Sequence, residues 1–478
     1  MKKFLAVCSM LLCAAVMMQA KVVLPPIFAD NMVLQQQTDA AIWGKAAPGA
    51  KVVITTTWAK GKTVVNAGED GKWFARVATP AAGGPYEITF NDGDKVTLKN
   101  VLVGEVWICS GQSNMYQPMK GYSAQPTAGG VDLILDAKPS TPIRSCNVKK
   151  VVALEPQDEC ECTWYVNDQE GVAEASAAAY FFAKRIYDVL GVPVGIINAS
   201  WGGTPIRSWM SREVLEAEFA QDVKLSHYAE GKLPKKNPQY CAGVLYNGML
   251  KSLIPFTAKG FLWYQGCADR NQYKLYERLQ PAFAKMLRDD WGNDKMPFYF
   301  TQIAPYKYDD PQKCTAGFLM WAQAQTLKAI PYSGMATTHD AGEFDCIHPA
   351  NKKAVGDRLA YLALTNDYGI KGIDAKAPMP KEIKFENGAA IVEFECGDLG
   401  VGPINKELVG SFELAGEDKV FYPAVAKLEP NRRSIKVVSD KVAAPVAIRY
   451  GMRNWSEALV FNNFGIPASP FRSDDWEK

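Results

Sequence analysis

The sequence predicts an α/β protein: a parallel sheet covered by helices, flanked by N- and C-terminal β-sandwich-like regions. Three patterns predict it. Between about Leu102 and Tyr368, apolar runs of strand length alternate with longer stretches of helical period, as βαβ units require. From Val22 to about Val106, short β-rich runs recur between the turn pairs Pro48-Gly49, Asp70-Gly71 and Asp92-Gly93, the spacing of a small sandwich. After about Ala375 the alternation returns in Ala389 to Phe394 and Ser434 to Val438, with Asn387-Gly388 as a hairpin signal. The expected divisions are a signal peptide at 1–20, an N-terminal β-rich region at 21–101, the α/β domain at 102–370 and a C-terminal β-rich region at 371–478.

In chain order, Lys2 and Lys3 precede an apolar run from Phe4 to Met18 that ends Met-Gln-Ala before Lys21. This is the pattern of a cleaved secretory signal. The run is shorter than the roughly 18 to 20 residues a spanning helix needs, so export to the periplasm or the exterior without a membrane anchor is expected. Val52 to Thr57 and Tyr86 to Phe90 are strands of the first region, and Val101 to Cys109 opens the second. Ala175 to Leu190 is an amphipathic helix with Gly191 as its C-cap and Pro193 beyond, leading into a strand at Val194 to Asn198. Asn198 to Thr204 is then a loop at a strand's carboxyl end, and the strands Phe261 to Gln265 and Gly334 to Thr338 also end in polar residues. Open α/β sheets bind their ligands along that edge.

Lys+Arg 53 against Asp+Glu 51 leaves the chain almost neutral, with no basic block to follow a phosphate backbone, so nucleic acid is not an expected partner. Of 11 Cys, Cys8 and Cys13 lie in the leader, and the remaining nine are an odd set, which predicts buried thiols with one or two disulfides. Cys160-Glu-Cys162 has no matching second pair and the chain has only 3 His, which argues against a zinc site. No metal or other cofactor is expected.

Serine hydrolysis needs a nucleophile, an imidazole to take its proton, a carboxylate to orient the imidazole, and N–H donors for the oxyanion. Ser113 follows the strand-like run to Cys109, and Gly111 permits a tight turn before it. The second glycine of a G-x-S-x-G elbow is missing, which disfavours an ordinary α/β-hydrolase. His348 precedes Pro349, placing it at a loop-to-helix junction, and Val355, Leu359 and Leu362 give the following helix a core face. Asp345, three residues earlier, is near enough to accept from His348 Nδ1. A plain surface turn at Ser113, and a helix-capping His348 with a solvated Asp345, also fit these short stretches. Scarcity sharpens the choice. His227 lies in a polar stretch, and His339 adjoins Asp340 on the same loop as Asp345, where the pair is expected to support the loop or touch substrate.

Six segments together resemble the sialate O-acetylesterase family of SGNH hydrolases, in order and over nearly the whole chain after the leader. They are Leu24 to Gln35, Gly104 to Met115 around the nucleophile, Asn198 to Pro205 with its glycine pair, Leu262 to Gly266, Asp345 to Pro349, and Phe464 to Arg472. The resemblance implies an SGNH-hydrolase (flavodoxin-like) three-layer domain and hydrolysis of acetyl esters on sialic acid or other glycans without a metal. By position it implies Ser113 as nucleophile, His348 as base and then acid, and Asp345 as orienter. It further implies an oxyanion hole from the Ser113 amide, the amide of Gly202 or Gly203, and a third-block side chain, Gln265 or Asp269. Asn114, Arg207 and Trp201 are the expected substrate-side residues.

Three positions depart from the family pattern. Gly266-Cys-Ala-Asp269 stands where Gly-Glu-Ser-Asn is common, so an Asp replaces the usual Asn donor. Tyr116 and Arg207 each stand where a Glu is frequent. An ionised Asp269 opposes an oxyanion, and helps only if protonated or turned away with Gln265 donating. An acetylesterase acting on an acetylated carbohydrate is therefore the first expectation. A carbohydrate-binding protein on a catalytically weakened scaffold is the alternative. The oligomeric state is left open.

Overall fold

The computed structural model describes residues 21–404 and 406–477; the expected signal peptide at 1–20 lies outside them. The molecule is organised around one strand, Lys95–Gly111, which is exposed at its start and continuously buried from Val101 onward. In the central sheet the strand order is Ser333–Ala336, Phe298–Thr301, Gly260–Tyr264, Lys95–Gly111, Val194–Ser200, Ile143–Val148 and Cys162–Tyr165. Every neighbouring pair is parallel except the last, which is antiparallel.

Side-chain alternation along these strands builds the two faces. Trp107, Cys109, Ile196, Leu262 and Tyr299 pack with the helices Ala177–Leu190 and Lys352–Asn366. Ile108, Ile197, Phe261, Trp263 and Phe300 pack with Tyr273–Trp291 and Thr315–Thr326. Helices thus cover both faces, as the strand-and-helix alternation predicts. The Ala177–Leu190 helix begins at a Ser176 cap, whose hydroxyl accepts from the Ala179 amide. It ends at Gly191 with φ 66, the left-handed C-cap expected from the glycine.

Strands that precede Gly260 in the chain lie on one side of Lys95–Gly111, and those from Gly260 onward lie on the other. The chain therefore reverses its winding at this strand, and the crevice beyond its carboxyl end is the topological position for a ligand. The first half of the same strand pairs with Gly83–Asn91 and Val33–Gln35, so the N-terminal β-rich residues hang on the strand that carries Gly111. Residues 379–472 form a seven-stranded antiparallel sheet with its own apolar cluster around Phe412, Ile448 and Tyr450.

Three local expectations change. The helix after His348 starts at Lys352, because the Asn351 side chain accepts from the Ala354 amide and serves as the cap, which leaves Pro349 in the loop. The strand expected at Gly334 to Thr338 ends at Ala336, where its pairing with Phe298–Thr301 stops, and the hydroxyls of Thr337 and Thr338 bond to the carbonyls of Pro467 and Gln302. The expected one or two disulfides are absent among the described residues, where all nine cysteines are free. Several of their thiols sit on separate elements and donate to local acceptors, as Cys109 does to the Trp107 carbonyl and Cys346 to that of His348.

Gly111 has φ 140, and a Cβ built on it falls 2.2 Å from the Tyr264 carbonyl oxygen. Gly111→Ala is expected to destabilise the fold by about 2 kcal/mol or more, read as a lower denaturant midpoint.

Candidate active site at the carboxyl edge of the central sheet

Gly111 lets the central strand end in a tight turn against its neighbour. The Gln112 amide donates to the Tyr264 carbonyl at 3.0 Å, and the Gln112 side-chain oxygen accepts from the Gly266 amide at 3.2 Å. One helical turn, Ser113–Tyr116, follows, with the Met115 and Tyr116 amides bonded to the Gln112 carbonyl and Met115 fully buried. Ser113 is the first residue of that turn and is half-buried. Its amide donates to no other described residue, as expected of a helix's first N–H groups.

The strand Val194–Ser200 ends beside this turn, where the Trp201 amide donates to the Gly111 carbonyl at 3.0 Å. A Cβ on Gly202 falls 3.2 Å from the Ser113 Cβ, a tight approach, so this residue lies directly against the serine. Gly203 is exposed with φ 75 and faces the Tyr240 hydroxyl instead. Of the two glycines left open by the sequence, Gly202 is the one brought to Ser113. Trp201 is half-buried, and the Lys150 ammonium sits 6.0 Å from its ring and 3.4 Å from that of Tyr116.

The third-block side chains brace the glycine loop. Gln265 Nε2 donates to the Thr204 carbonyl at 3.0 Å and to Asp269 Oδ2 at 2.6 Å, which engages both of its protons. Asp269, only 2% exposed, also accepts from the Ile206 amide at 3.0 Å and lies 3.7 Å from the Arg207 guanidinium. Burial pushes its carboxyl up to about 6, while the Gln265 and Ile206 bonds and the Arg207 charge pull it back. Thus Asp269 is turned to the loop that holds Gly202, and Gln265 spends its donors there. The expected donation from Gln265 or Asp269 to an oxyanion is not made in this arrangement.

His348 lies on a loop held by three contacts. Asn114 Nδ2 donates to the Ile347 carbonyl at 3.0 Å, and the Lys352 ammonium donates to Asn114 Oδ1 at 2.8 Å and to the Pro349 carbonyl at 2.6 Å. Asn114, expected on the substrate side, is buried and acts as a clamp. Lys352 is 1% exposed, and burial pushes its ammonium down to about 7. Burial first, and the Lys352 charge second, lower the His348 imidazole below its ordinary range. The His348 and Tyr122 rings meet in a T-shaped contact with centroids 5.2 Å apart, and the Tyr122 hydroxyl donates to the Ser113 carbonyl at 2.9 Å. These contacts draw the Ser113 and His348 segments together, although no hydrogen bond joins the two side chains among the described residues.

The expected bond from His348 Nδ1 to Asp345 is not made. The Asp345 side chain is 77% exposed and pairs with Lys307 Nζ at 2.6 Å. His348 Nδ1 instead meets Gln125 Oε1 at 2.6 Å. Sequence reasoning missed Gln125 and Lys352, because neither stands in a motif and their partners lie far along the chain. His339 is buried at the start of this loop, with Nε2 against the Ser456 hydroxyl at 2.8 Å, and Asp340 forms an ion pair with Arg358 at 2.6 Å. Both support the loop, one of the two roles expected of them. Among the described residues no group of His, Cys, Asp and Glu is placed to hold a metal ion.

Residues 103–365 match the family model described as carbohydrate esterase, sialic acid-specific acetylesterase. The sialate O-acetylesterase of Homo sapiens is 29% identical, over 74% of this chain and 73% of its own. That of Mus musculus is 26% identical over 93% of each. A carbohydrate acetylesterase from Xanthomonas citri has a similar structure, with a TM-score of 0.85 and 31% identity, covering 95% of this chain and all of that one.

The His348 environment sets a titration. Its midpoint, followed by NMR of the imidazole, is expected below the ordinary value of about 6.5, and Lys352→Met is expected to raise it by removing a like charge.

Proposed function

Because this chain belongs to the carbohydrate esterase family of sialic acid-specific acetylesterases, we propose that it hydrolyses O-acetyl esters on sialic acid or another glycan through an acetyl-Ser113 intermediate. One observation carries the assignment of residues: Ser113 opens a helical turn at the carboxyl end of the central strand, with Gly202 against its Cβ and the His348 loop clamped beside it.

In this reading Ser113 Oγ attacks the acetyl carbonyl while His348 Nε2 takes its proton. The carbonyl oxygen becomes an oxyanion facing the amides of Ser113 and Gly202, which have no competing acceptor among the described residues. Collapse breaks the ester bond, and the sugar alcohol leaves with the proton from His348. Water then repeats the sequence on the acetyl-enzyme and releases acetate, restoring the serine. Gln265 and Asp269 contribute by fixing the loop of Gly202, and the inward turn of Asp269 keeps its charge off the oxyanion. Asp345, exposed and paired with Lys307, makes no hydrogen bond to the His348 ring and is assigned no proton-transfer step. Trp201 offers an aromatic face to the sugar, and Arg207 a guanidinium at the rim.

The finer assignments belong to the same proposal: an SGNH-type α/β domain at 102–370 between β-rich regions at 21–101 and 371–478, in an exported protein whose substrate is an acetylated carbohydrate. Helices on both faces of the parallel sheet support the first, and the leader pattern supports the last. Among the described residues no helix is long and apolar enough to cross a membrane.

Acetate release from acetylated sialosides, xylans and pectins tests the reading. The protein is expected to turn over at least one of these, and Ser113→Ala to lower the rate by about 1000-fold or more. Equal release by Ser113→Ala overturns the assignment of the nucleophile.

A further inference from the structure

We propose that Gln125 is the positioning residue of the general base: its side-chain carbonyl fixes the His348 ring with the proton on Nδ1, leaving Nε2 free to take the Ser113 proton. The inference rests on the esterase reading and adds to it a residue outside all six blocks of the family resemblance.

The chemistry of the contact decides the tautomer. Gln125 Oε1 lies 2.6 Å from His348 Nδ1, and an amide oxygen carries no hydrogen, so Nδ1 must supply it. In a neutral imidazole the other nitrogen is then bare, which is the state a general base needs. Asp345 does not compete, because Lys307 holds its exposed carboxylate.

Gln125 is itself held. Tyr122 and Gln125 close a tight turn by reciprocal backbone bonds of 2.9 and 3.0 Å, with Ala124 at φ 57. Buried Gln117 donates to the Gln125 carbonyl at 3.4 Å. Tyr122 puts its ring on His348 and its hydroxyl on the Ser113 carbonyl. A few residues on, the Ala128 amide donates to the Ala350 carbonyl at 3.0 Å. One short segment therefore grips the nucleophile's backbone, the ring and one nitrogen of the base, and the backbone beyond it. The grip places the imidazole without adding charge to it, unlike a carboxylate orienter. The titratable groups that face the ring are Tyr122 and Lys352; Cys346, Glu343 and Asp345 share its loop, with Lys307 paired to Asp345 from a neighbouring segment.

The test compares Gln125→Ala and Gln125→Glu with the parent in the full chain. With only 3 His in the sequence, ¹⁵N NMR of histidine-labelled protein can read the tautomer directly. The parent is expected in the Nδ1–H form. Gln125→Ala is expected to populate Nε2–H, and Asp345→Asn to leave the tautomer unchanged. In ester hydrolysis Gln125→Ala is expected to lower kcat by about 10- to 100-fold with little change in KM. Gln125→Glu, which restores an acceptor and adds a charge, is expected to recover kcat and move the acid limb of the pH profile up by roughly one pH unit. A merely structural glutamine does not move that limb. An Nε2–H parent, an unchanged kcat in Gln125→Ala, or a Gln125→Glu profile superimposed on the parent's overturns the proposal. The tautomer is read without turnover, so failure of the esterase reading is distinguishable from failure of this one.

Discussion

A buried amine and a buried carboxamide hold the candidate site together. Lys352, at the first turn of the helix after His348, reaches Asn114 and the Pro349 carbonyl, and Asn114 returns a bond to Ile347. The nucleophile's neighbour and the base's loop become one unit, though 238 residues separate Lys352 from Asn114. Burying an ammonium with no carboxylate in hydrogen-bond contact is costly, and the lowered pKa of Lys352 is the record of that cost. The same charge lowers the imidazole beside it. One side chain thus both ties the base's loop to the nucleophile's neighbour and adds to the effect of burial on the base's acidity.

The glycine loop is secured by a second polar brace. Asp269 accepts from the Ile206 amide and from Gln265, whose remaining proton goes to Thr204. This resolves the difficulty of an acidic residue near a developing oxyanion. A buried carboxylate is stabilised by donors, and the nearest donors belong to the loop, so the carboxylate turns to them and holds Gly202 in place. The C-terminal region adds support from behind: Thr337 bonds to Pro467, His339 to Ser456 and Gln302 to Ser469. The segment leading to His348 is thus anchored on loops of the C-terminal β-rich region.

Much of this was legible along the chain. The helix ending at Gly191 and the strands at Val194 and Phe261 follow from periodicity and glycine chemistry, and the strand ends that carry Ser113 and the glycine pair follow from them. The helix after His348 shows the limit of local reasoning. A proline suggests its start at residue 349, but the Asn351 side chain, which accepts from the Ala354 amide, is the better cap. Nothing in the residues around Gln125 marks it, because its importance comes from an imidazole 223 positions away.

By itself the sequence determined which runs become strands, which loops share the carboxyl edge of the sheet, and that Ser113 and His348 stand on two of them. These are consequences of apolar spacing and of the backbone preferences of glycine and proline, which act over a few residues. Only the tertiary structure decided which acceptor meets His348 and where Asp345 and Asp269 direct their charge. Each of those outcomes is a competition among distant partners, Lys307 for Asp345 and the Ile206 amide for Asp269, and a hydrogen bond goes to the group that the packed fold brings within reach.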